Sequence, residues 1–475
     1  MNKNIYYIVF ALMLTFSLSA CNDWLDVNPE SQVEDNELFE SESGFKEALA
    51  GVYSGMVSEA TYAKEALYGA YAVLAQEWIN VPTSYQDLIA YNYDATSPTN
   101  LFANIWRSNY NAIANDNNLL KAIDENRYKF SGNNYNIIKG EALALRALLH
   151  FDLLRAFGVS FEVNPSMPSI PYSTELSYRV FPQLSVREVA EKVIADLREA
   201  EQLLKVDPIY TGEEVTESDD NGYLMHRTLH MNYYAVKGLE ARVYMWTKQY
   251  DLAKAAAEEV INSGKFSWAT PPALISQGVN NYPTTSEHLF ALDDVNLSNR
   301  ADNYFNENVN TSSFSLDATT LLDYYDSETT DYRYLYQFAS GTNYDYVDNR
   351  YSTKYWSPSS SSSGGANRLP IIRLSELYLI LSEIDYRNGG TGLDRLNELH
   401  SARGVGDLDM AVDYYDTLIR EYRREFIGEG QLFFLYKRLN YASILRSDVD
   451  PIAEKIYTFP LPQSETSAAQ REANR

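Results

Sequence analysis

Apolar residues recur every three to four positions through much of this chain, the spacing of helices that bury one side. The clearest stripe is Val186, Val189, Ala190, Val193, Ile194, Leu197, Ala200 and Leu204. Ser185 and Glu188 open it with the S-x-x-E spacing of a capping box, so an amphipathic helix starts there. Phe45, Leu49, Val52, Tyr53 and Met56 repeat the pattern, as do Trp106, Tyr110, Ile113, Leu120 and Ile123. Gly140 to Gly158 is a strong helix ending on a glycine, the residue favoured just past a helix C-terminus. The spacing predicts helices over 140–157, 185–204, 231–247, 251–262, 371–387 and 416–438.

Within Met231 to Lys254, Ala241, Tyr244, Tyr250 and Ala253 stand at tetratricopeptide-like offsets. Small residues there let two antiparallel helices approach, and the tyrosines fill the space between pairs. The expected fold is mainly α, a degenerate array of such pairs, with a generic helical bundle as the alternative. The scaffold is expected over about 44–265 and 369–445. Between them, 266–368 loses the long helical period and becomes rich in Pro, Ser, Asn, Asp and Tyr. Nine tyrosines lie between Tyr324 and Trp356, followed by a serine-glycine run from Ser357 to Gly365. This reads as a loop-rich insert within one domain spanning 44–475, with short strands at most.

The first twenty residues read as an export leader. Lys3 supplies the positive charge, an apolar run from Ile5 to Ser17 follows, and Leu18-Ser19-Ala20-Cys21 closes it. The run is too short to span a bilayer as a resident helix. Cys directly after small residues reads as a lipobox, with cleavage before Cys21 and acylation of that residue. The bland alternative is an ordinary leader with a chance cysteine. Residues 21–43 are polar and acidic, as an anchor spacer would be. Cys21 is also the only cysteine of 475 residues, so no internal disulfide forms. A core must hold the fold unaided, and about 455 residues suffice, burying about three quarters of their unfolded surface.

Charge narrows the partners. The formal net charge is −26, and loss of the leader, whose one charged side chain is Lys3, makes it −27. Such a surface repels nucleic acid and disfavours large anionic cargo. The 39 tyrosines equal the lysines and arginines together, and tyrosine serves both cores and recognition surfaces. No nucleophile elbow, phosphate loop or dinucleotide fingerprint is present. His226 and His230 stand at i,i+4 but lack the Glu of H-E-x-x-H, and His150 reads as a packed core residue. Glu213 to Gly222 departs from a calcium loop and reads as an exposed turn. Arg420, Arg423 and Arg424 interleave with Glu421, Glu425 and Glu429, which reads as a structural ion-pair network. The 65 acidic residues leave room for the paired carboxylates of a glycosidase, though most belong to a solvated surface.

Several blocks taken together resemble the SusD/RagB family of outer-membrane nutrient-binding lipoproteins. They are the lipobox with Asn22-Asp-Trp-Leu-Asp26, Arg146 to Gly158, and Ala241-Arg-Val-Tyr-Met245. Arg373 to Glu383, Asn397 to Arg403, Arg423 to Phe434 and Phe459-Pro-Leu-Pro462 complete the series in family order. Leu435-Tyr436 departs from the usual Asp before the basic pair, and Ser382 from the usual Ala. The resemblance implies a tetratricopeptide-type helical scaffold with a loop-rich ligand-binding half. Since the residues themselves show no metal constellation, no cofactor or metal is expected, and the resemblance implies a surface binding lipoprotein without catalysis. It passes an oligosaccharide, or in the RagB branch a peptide, to a SusC-like TonB-dependent transporter. Sugar rings offer apolar CH faces to aromatics and hydroxyls to polar groups, and loops tend to carry such residues. Trp78, Tyr85, Trp268, Tyr282, Tyr304, Tyr355 and Trp356, in loop-prone stretches outside any helical stripe, are the candidate contacts.

Overall fold

Ser41 accepts a hydrogen bond from the Gly44 amide and so starts helix α1 (Glu42–Met56) where the first apolar stripe begins. The computed structural model describes residues 38–177, 179–269, 284–308, 310–342, 348–355, 367–467, 469–472 and 474. The other long helices are α2 (Thr96–Ile123), α3 (Asn134–Phe157), α4 (Val186–Leu203), α5 (Tyr233–Trp246) and α6 (Tyr250–Asn262). After the insert come α7 (Leu374–Arg387), α8 (Leu393–Ala402), α9 (Tyr414–Phe426) and α10 (Gln431–Leu439). Neighbours pack in succession: α1 on α2, α2 on α3, α3 on α4, α5 on α6, α6 on α7, α7 on α8 and α9 on α10. The fold is mainly α, built of tetratricopeptide-like helix pairs. No helix among the described residues is long and apolar enough to cross a membrane.

Local chemistry explains the elements. The Ser185–Glu188 capping box is formed at the start of α4, and Val186 to Ala200 bury its stripe. Helix α3 is apolar around its whole circumference and is accordingly buried on every side. Its charged residues are paired inside: Glu141 with Arg227 at 2.7 Å, Arg146 with Asp196 at 2.7 Å, and Asp152 with Arg155. Gly140 is where the end of α4 comes closest, since a Cβ there would lie 2.7 Å from Leu204 Cγ.

Two helix boundaries differ from expectation. The helix expected over 416–438 is two helices, because Gly428 and Gly430 adopt φ of +72° and +68° and turn the chain between α9 and α10. The helix expected from 371 begins at Leu374, because the preceding residues form a strand. Strands are short and pair antiparallel throughout. β1 (Pro168–Pro171) pairs with β2 (Gln183–Ser185), and β3 (His288–Asp293) with β7 (Arg368–Arg373). β6 (Asp348–Ser352) lies between β4 (Leu316–Asp317) and β5 (Phe338–Thr342). The described part of 266–368 also holds short helices at Leu297–Tyr304, Ala318–Tyr324 and Tyr332–Tyr336, more order than its composition suggested.

A buried ionic cluster ties this insert to the scaffold. Glu425 of α9 meets Arg333 at 3.0 Å, Arg373 at 2.6 Å and Arg403 at 2.6 Å. Arg373 also reaches Glu429 at 2.8 Å, Arg403 reaches Glu287 at 2.7 Å, and Lys354 reaches Glu429 at 2.8 Å. Glu421 accepts from Arg333 and lies 2.9 Å from His400 Nε2. The interleaved charges of α9 are therefore structural, as expected, but most of their partners come from distant segments. Burial pushes the Glu425 carboxyl up, yet Arg403 and Arg373 hold it well below the usual carboxylate range.

Asp116 of α2 has the opposite balance. It is fully buried, and neither carboxylate oxygen finds a hydrogen-bond partner among the described residues. Burial pushes its carboxyl well above the ordinary value; Arg146 opposes this and Asp196 adds to it. An unfolded Asp titrates near about 3.9, so the folded chain holds a proton that the unfolded chain releases. The stability this contributes is full below that value and is lost as pH rises toward the folded one. Asp116→Asn stays neutral in both states and escapes the loss. It is expected to gain on the wild type by up to about 1.4 kcal/mol per pH unit through that window. Urea denaturation of both proteins across the acid-to-neutral range checks this; parallel pH profiles would contradict it.

Candidate functional site

The C-terminal half of α1 and the segment Leu292–Arg300 face each other across a cleft of about 460 Å³. That is within the range of about 300–1,000 Å³ found for small-molecule sites. Its floor is aromatic. Tyr53 and His230 meet edge to face with centroids 5.4 Å apart, and Tyr223 lies 6.4 Å from His230. Leu49, Ala50, Val57, Leu229 and Leu292 make the walls; Lys46, Ser54, Asp293, Asp294, Asn296 and Arg300 make the polar rim.

The floor is held rigid from beneath. Tyr53 donates to Glu141 Oε2 at 2.6 Å and accepts from the Met231 amide at 2.8 Å. His230 Nδ1 lies 3.0 Å from the same oxygen. Burial pushes the Glu141 carboxyl up, but Arg227 and His230 outweigh it and leave the value at about 2. Glu141 is thus a carboxylate, an acceptor only, so His230 carries its proton on Nδ1 there and its other edge lines the cleft. Arg227 is in turn clamped by Asp207 at 2.8 Å. Asn232 fixes the turn: its side chain caps α5 at the Ala235 amide and donates to the Arg227 and Leu289 carbonyls.

The rim is cross-braced by ion pairs. Lys46 lies 2.8 Å from Glu42 and 2.5 Å from Asp220, with its ammonium 4.5 Å above the Tyr223 ring. Arg300 lies 2.8 Å from Asp294 and 3.0 Å from Glu59. One helical turn beyond Arg300, Tyr304 donates to Glu59 at 3.2 Å and accepts from Lys64 at 3.5 Å. Of the sequence-chosen aromatics, Tyr304 adjoins the cleft rim and stays half-buried.

Three others are interior and are corrected as contact candidates. Trp78 is 2% exposed and donates to the Tyr68 carbonyl at 2.9 Å. Tyr85 donates to Glu65 at 2.7 Å and Tyr355 to the Gly428 carbonyl at 2.6 Å; both are buried. These rings pack with Tyr68, Phe305 and Phe314 in one aromatic cluster at the junction of insert and scaffold. Each polar edge found an acceptor inside, so a loop position did not mean a surface one. Trp268 is half-buried, 4.7 Å from the Tyr378 ring with the Arg403 guanidinium 5.2 Å from its own, away from the cleft. Cys21, Tyr282 and Trp356 lie outside the described residues.

Sequence reasoning missed Tyr53, Tyr223, Asp293 and Arg300. Tyr53 carried a usable signal: it stands one residue off the Leu49, Val52, Met56 core run and so points partly outward. His230 was weighed only with His226 as a metal pair; in the structure His226 is exposed and His230 is spent on Glu141. No group of three or more metal-binding side chains assembles among the described residues. The 213–222 stretch forms a mostly exposed loop and turn, as expected.

A paired-helix scaffold with a loop-bearing insert and an aromatic-floored cleft defines a class of helical-repeat proteins. A family model described as starch-binding and associating with the outer membrane matches residues 23–214, and the SusD family model matches 221–471. The chain belongs to the SusD family. A SusD-like protein, P38, of Formosa agariphila is 27% identical over 277 residues, which cover 56% of this chain. The match spans 47% of that relative, about half its length. A SusD superfamily protein of Bacteroides thetaiotaomicron superposes with a TM-score of 0.73 at 21% identity, covering 92% of this chain and all of its own. A SusD-like carbohydrate binding protein of Bacteroides vulgatus gives 0.70 at 19% identity, covering 90% and 97%. At those identities the structural likeness establishes the fold.

Proposed function

We propose that this protein is a surface-exposed outer-membrane lipoprotein, anchored through Cys21, that captures a glycan and delivers it to a SusC-like TonB-dependent transporter without catalysis. The observation that carries the reading is the cleft over Tyr53, Tyr223 and His230. Flat aromatic faces suit the CH faces of sugar rings, and the rim of Ser, Asn, Asp and Arg suits their hydroxyls. The description of the matched family model, starch-binding and associating with the outer membrane, supports the same cargo and address. Trp268 and Tyr304, both half-buried, remain candidate contacts outside the floor.

The binding test presents wild type and Tyr53→Ala to a glycan array and, in parallel, to a peptide library. Glycan binding by the wild type that falls about 5- to 150-fold in the variant is expected, by analogy with stacking of bases on aromatics at about 1–3 kcal/mol. Binding confined to peptides would favour the RagB-like role instead, and a time-dependent change in glycan size would reveal an enzyme. Anchoring has its own test: mass spectrometry of the membrane-extracted protein should find a diacylglyceryl adduct on Cys21. Cys21→Ala should release the protein from the membrane fraction. An unmodified Cys21 in the native host would refute the anchor.

A further inference from the structure

We infer that the cleft selects uncharged or amine-bearing saccharides and excludes uronic and sulfated ones, with Asp293 as the deciding acceptor. The inference rests on the glycan-binding reading above and adds the class of glycan to it.

The basic groups at the rim are already spent. Lys46 is held between two carboxylates, Glu42 and Asp220, and Arg300 between two more, Asp294 and Glu59. His230 faces the buried carboxylate of Glu141. Both cationic groups that line the cleft, Lys46 and Arg300, are therefore neutralised by fixed partners before a ligand arrives. An incoming carboxylate or sulfate would have to compete with those partners at short range, and like charges set side by side in an interface suppress wrong partners.

What remains unspent has the opposite character. Asp293 ends β3, projects outward beside the cleft, and has no hydrogen bond or salt bridge to its carboxylate among the described residues. Its cross-strand neighbour Arg368 acts on it through charge alone, without an ion pair between them, and donates to Thr228 Oγ1 at 2.9 Å. Asp294, next in sequence, adds a second negative charge, partly spent on Arg300 and the Asn296 amide. The cleft thus offers at its rim one carboxylate that no protein hydrogen bond occupies among the described residues. A sugar hydroxyl answers it, and an ammonium answers it better because that hydrogen bond is charge-assisted.

Calorimetry on the purified full chain distinguishes the outcomes, with three probes of equal length: a neutral gluco-oligosaccharide, a deacetylated amino-sugar oligomer and an oligouronate. The amino-sugar oligomer should bind tightest at low salt, and its advantage should shrink at high salt as screening sets in. The neutral oligomer should bind independently of salt, and the oligouronate at least about tenfold more weakly than the neutral one. Asp293→Lys should abolish the amine preference and admit the oligouronate. A thermal melt of Asp293→Lys controls for folding; Asp293 is exposed, so the variant keeps the wild-type melt. Oligouronate binding by the wild type as tight as the neutral oligomer's would overturn this inference and leave the glycan-binding reading standing. Wild type that binds none of the three, nor any glycan on the array, would overturn both.

Discussion

Glu425→Ala is expected to destabilise the protein by about 3–5 kcal/mol, the cost of leaving buried charge uncompensated. Glu425 is itself buried, and the three guanidiniums it faces, those of Arg333, Arg373 and Arg403, are each at most 2% exposed. Each has a second acidic partner: Asp331 for Arg333, Glu429 for Arg373 and Glu287 for Arg403. The variant would therefore strip all three guanidiniums of the carboxylate they share rather than isolate one arginine. Glu425→Gln keeps the shape but not the charge and should recover only part of the loss. The damage should also be regional. Arg333 and Glu287 belong to the insert and Arg403 to the end of α8, so hydrogen exchange in β3 and β7 should accelerate more than in α3 or α4. The cluster carries an acid signature as well. Because the Glu421 and Glu425 carboxyls lie below their ordinary values in the fold, their contribution is present above about pH 4.3. It is lost only as pH falls through the lowered folded values, so the wild type should resist mild acid better than Glu425→Gln. Equal stability of Glu425→Ala and wild type would show that the cluster is no keystone.

Trp78→Ala is expected to cost about 3–5 kcal/mol of stability, the usual price of emptying a buried tryptophan site. Trp78 packs on Phe305 and Phe314, and its indole N–H donates to the Tyr68 carbonyl. Truncation would open a cavity in the aromatic cluster and leave that carbonyl without its donor. The expectation separates two roles for one residue. A ligand-stacking tryptophan would lose affinity on truncation while the melting temperature barely moved. Here the denaturation midpoint should fall sharply, while any folded fraction should keep the wild-type affinity for its glycan. The reverse pattern, intact stability with lost binding, would return Trp78 to the ligand surface.

The blocks that carry the family resemblance turn out to share a physical task. Arg373 and Glu376 come from one block, His400 and Arg403 from the next, and Arg423, Glu425 and Glu429 from the third. In the fold Arg373, His400 and Arg403 meet the acidic residues of α9 and of the turn after it. Glu376 holds Arg242 of α5 at 2.7 Å. These residues join helix pairs to one another and to the insert, so the residues that made the family legible are scaffold residues. They say nothing of cargo. The cleft residues Tyr53, Tyr223 and Asp293 lie outside every one of those blocks, which is why the family was readable and its site was not.

The amino-acid sequence by itself determined what depends on near neighbours along the chain. The stripe of α4 and its Ser185–Glu188 cap, the all-round burial of α3 and the small residues between α5 and α6 follow from spacing at three to four residues. Such spacing places side chains on one face of a helix wherever that helix lies. Tertiary structure alone decided what depends on contacts between distant segments. It split the last long helix at Gly428 and Gly430, where Gly428 donates to Glu77 and accepts from Tyr355. It drew residues 368–373 into a strand against β3. It also sorted the tyrosines, sending Tyr85 and Tyr355 inward to Glu65 and Gly428 while leaving Tyr53 and Tyr223 as the floor of a cleft. Irregular backbone has no period, so nothing local tells which side of a loop meets solvent. Tyr85 and Tyr355 were drawn inward where a distant acceptor lay within reach of the hydroxyl.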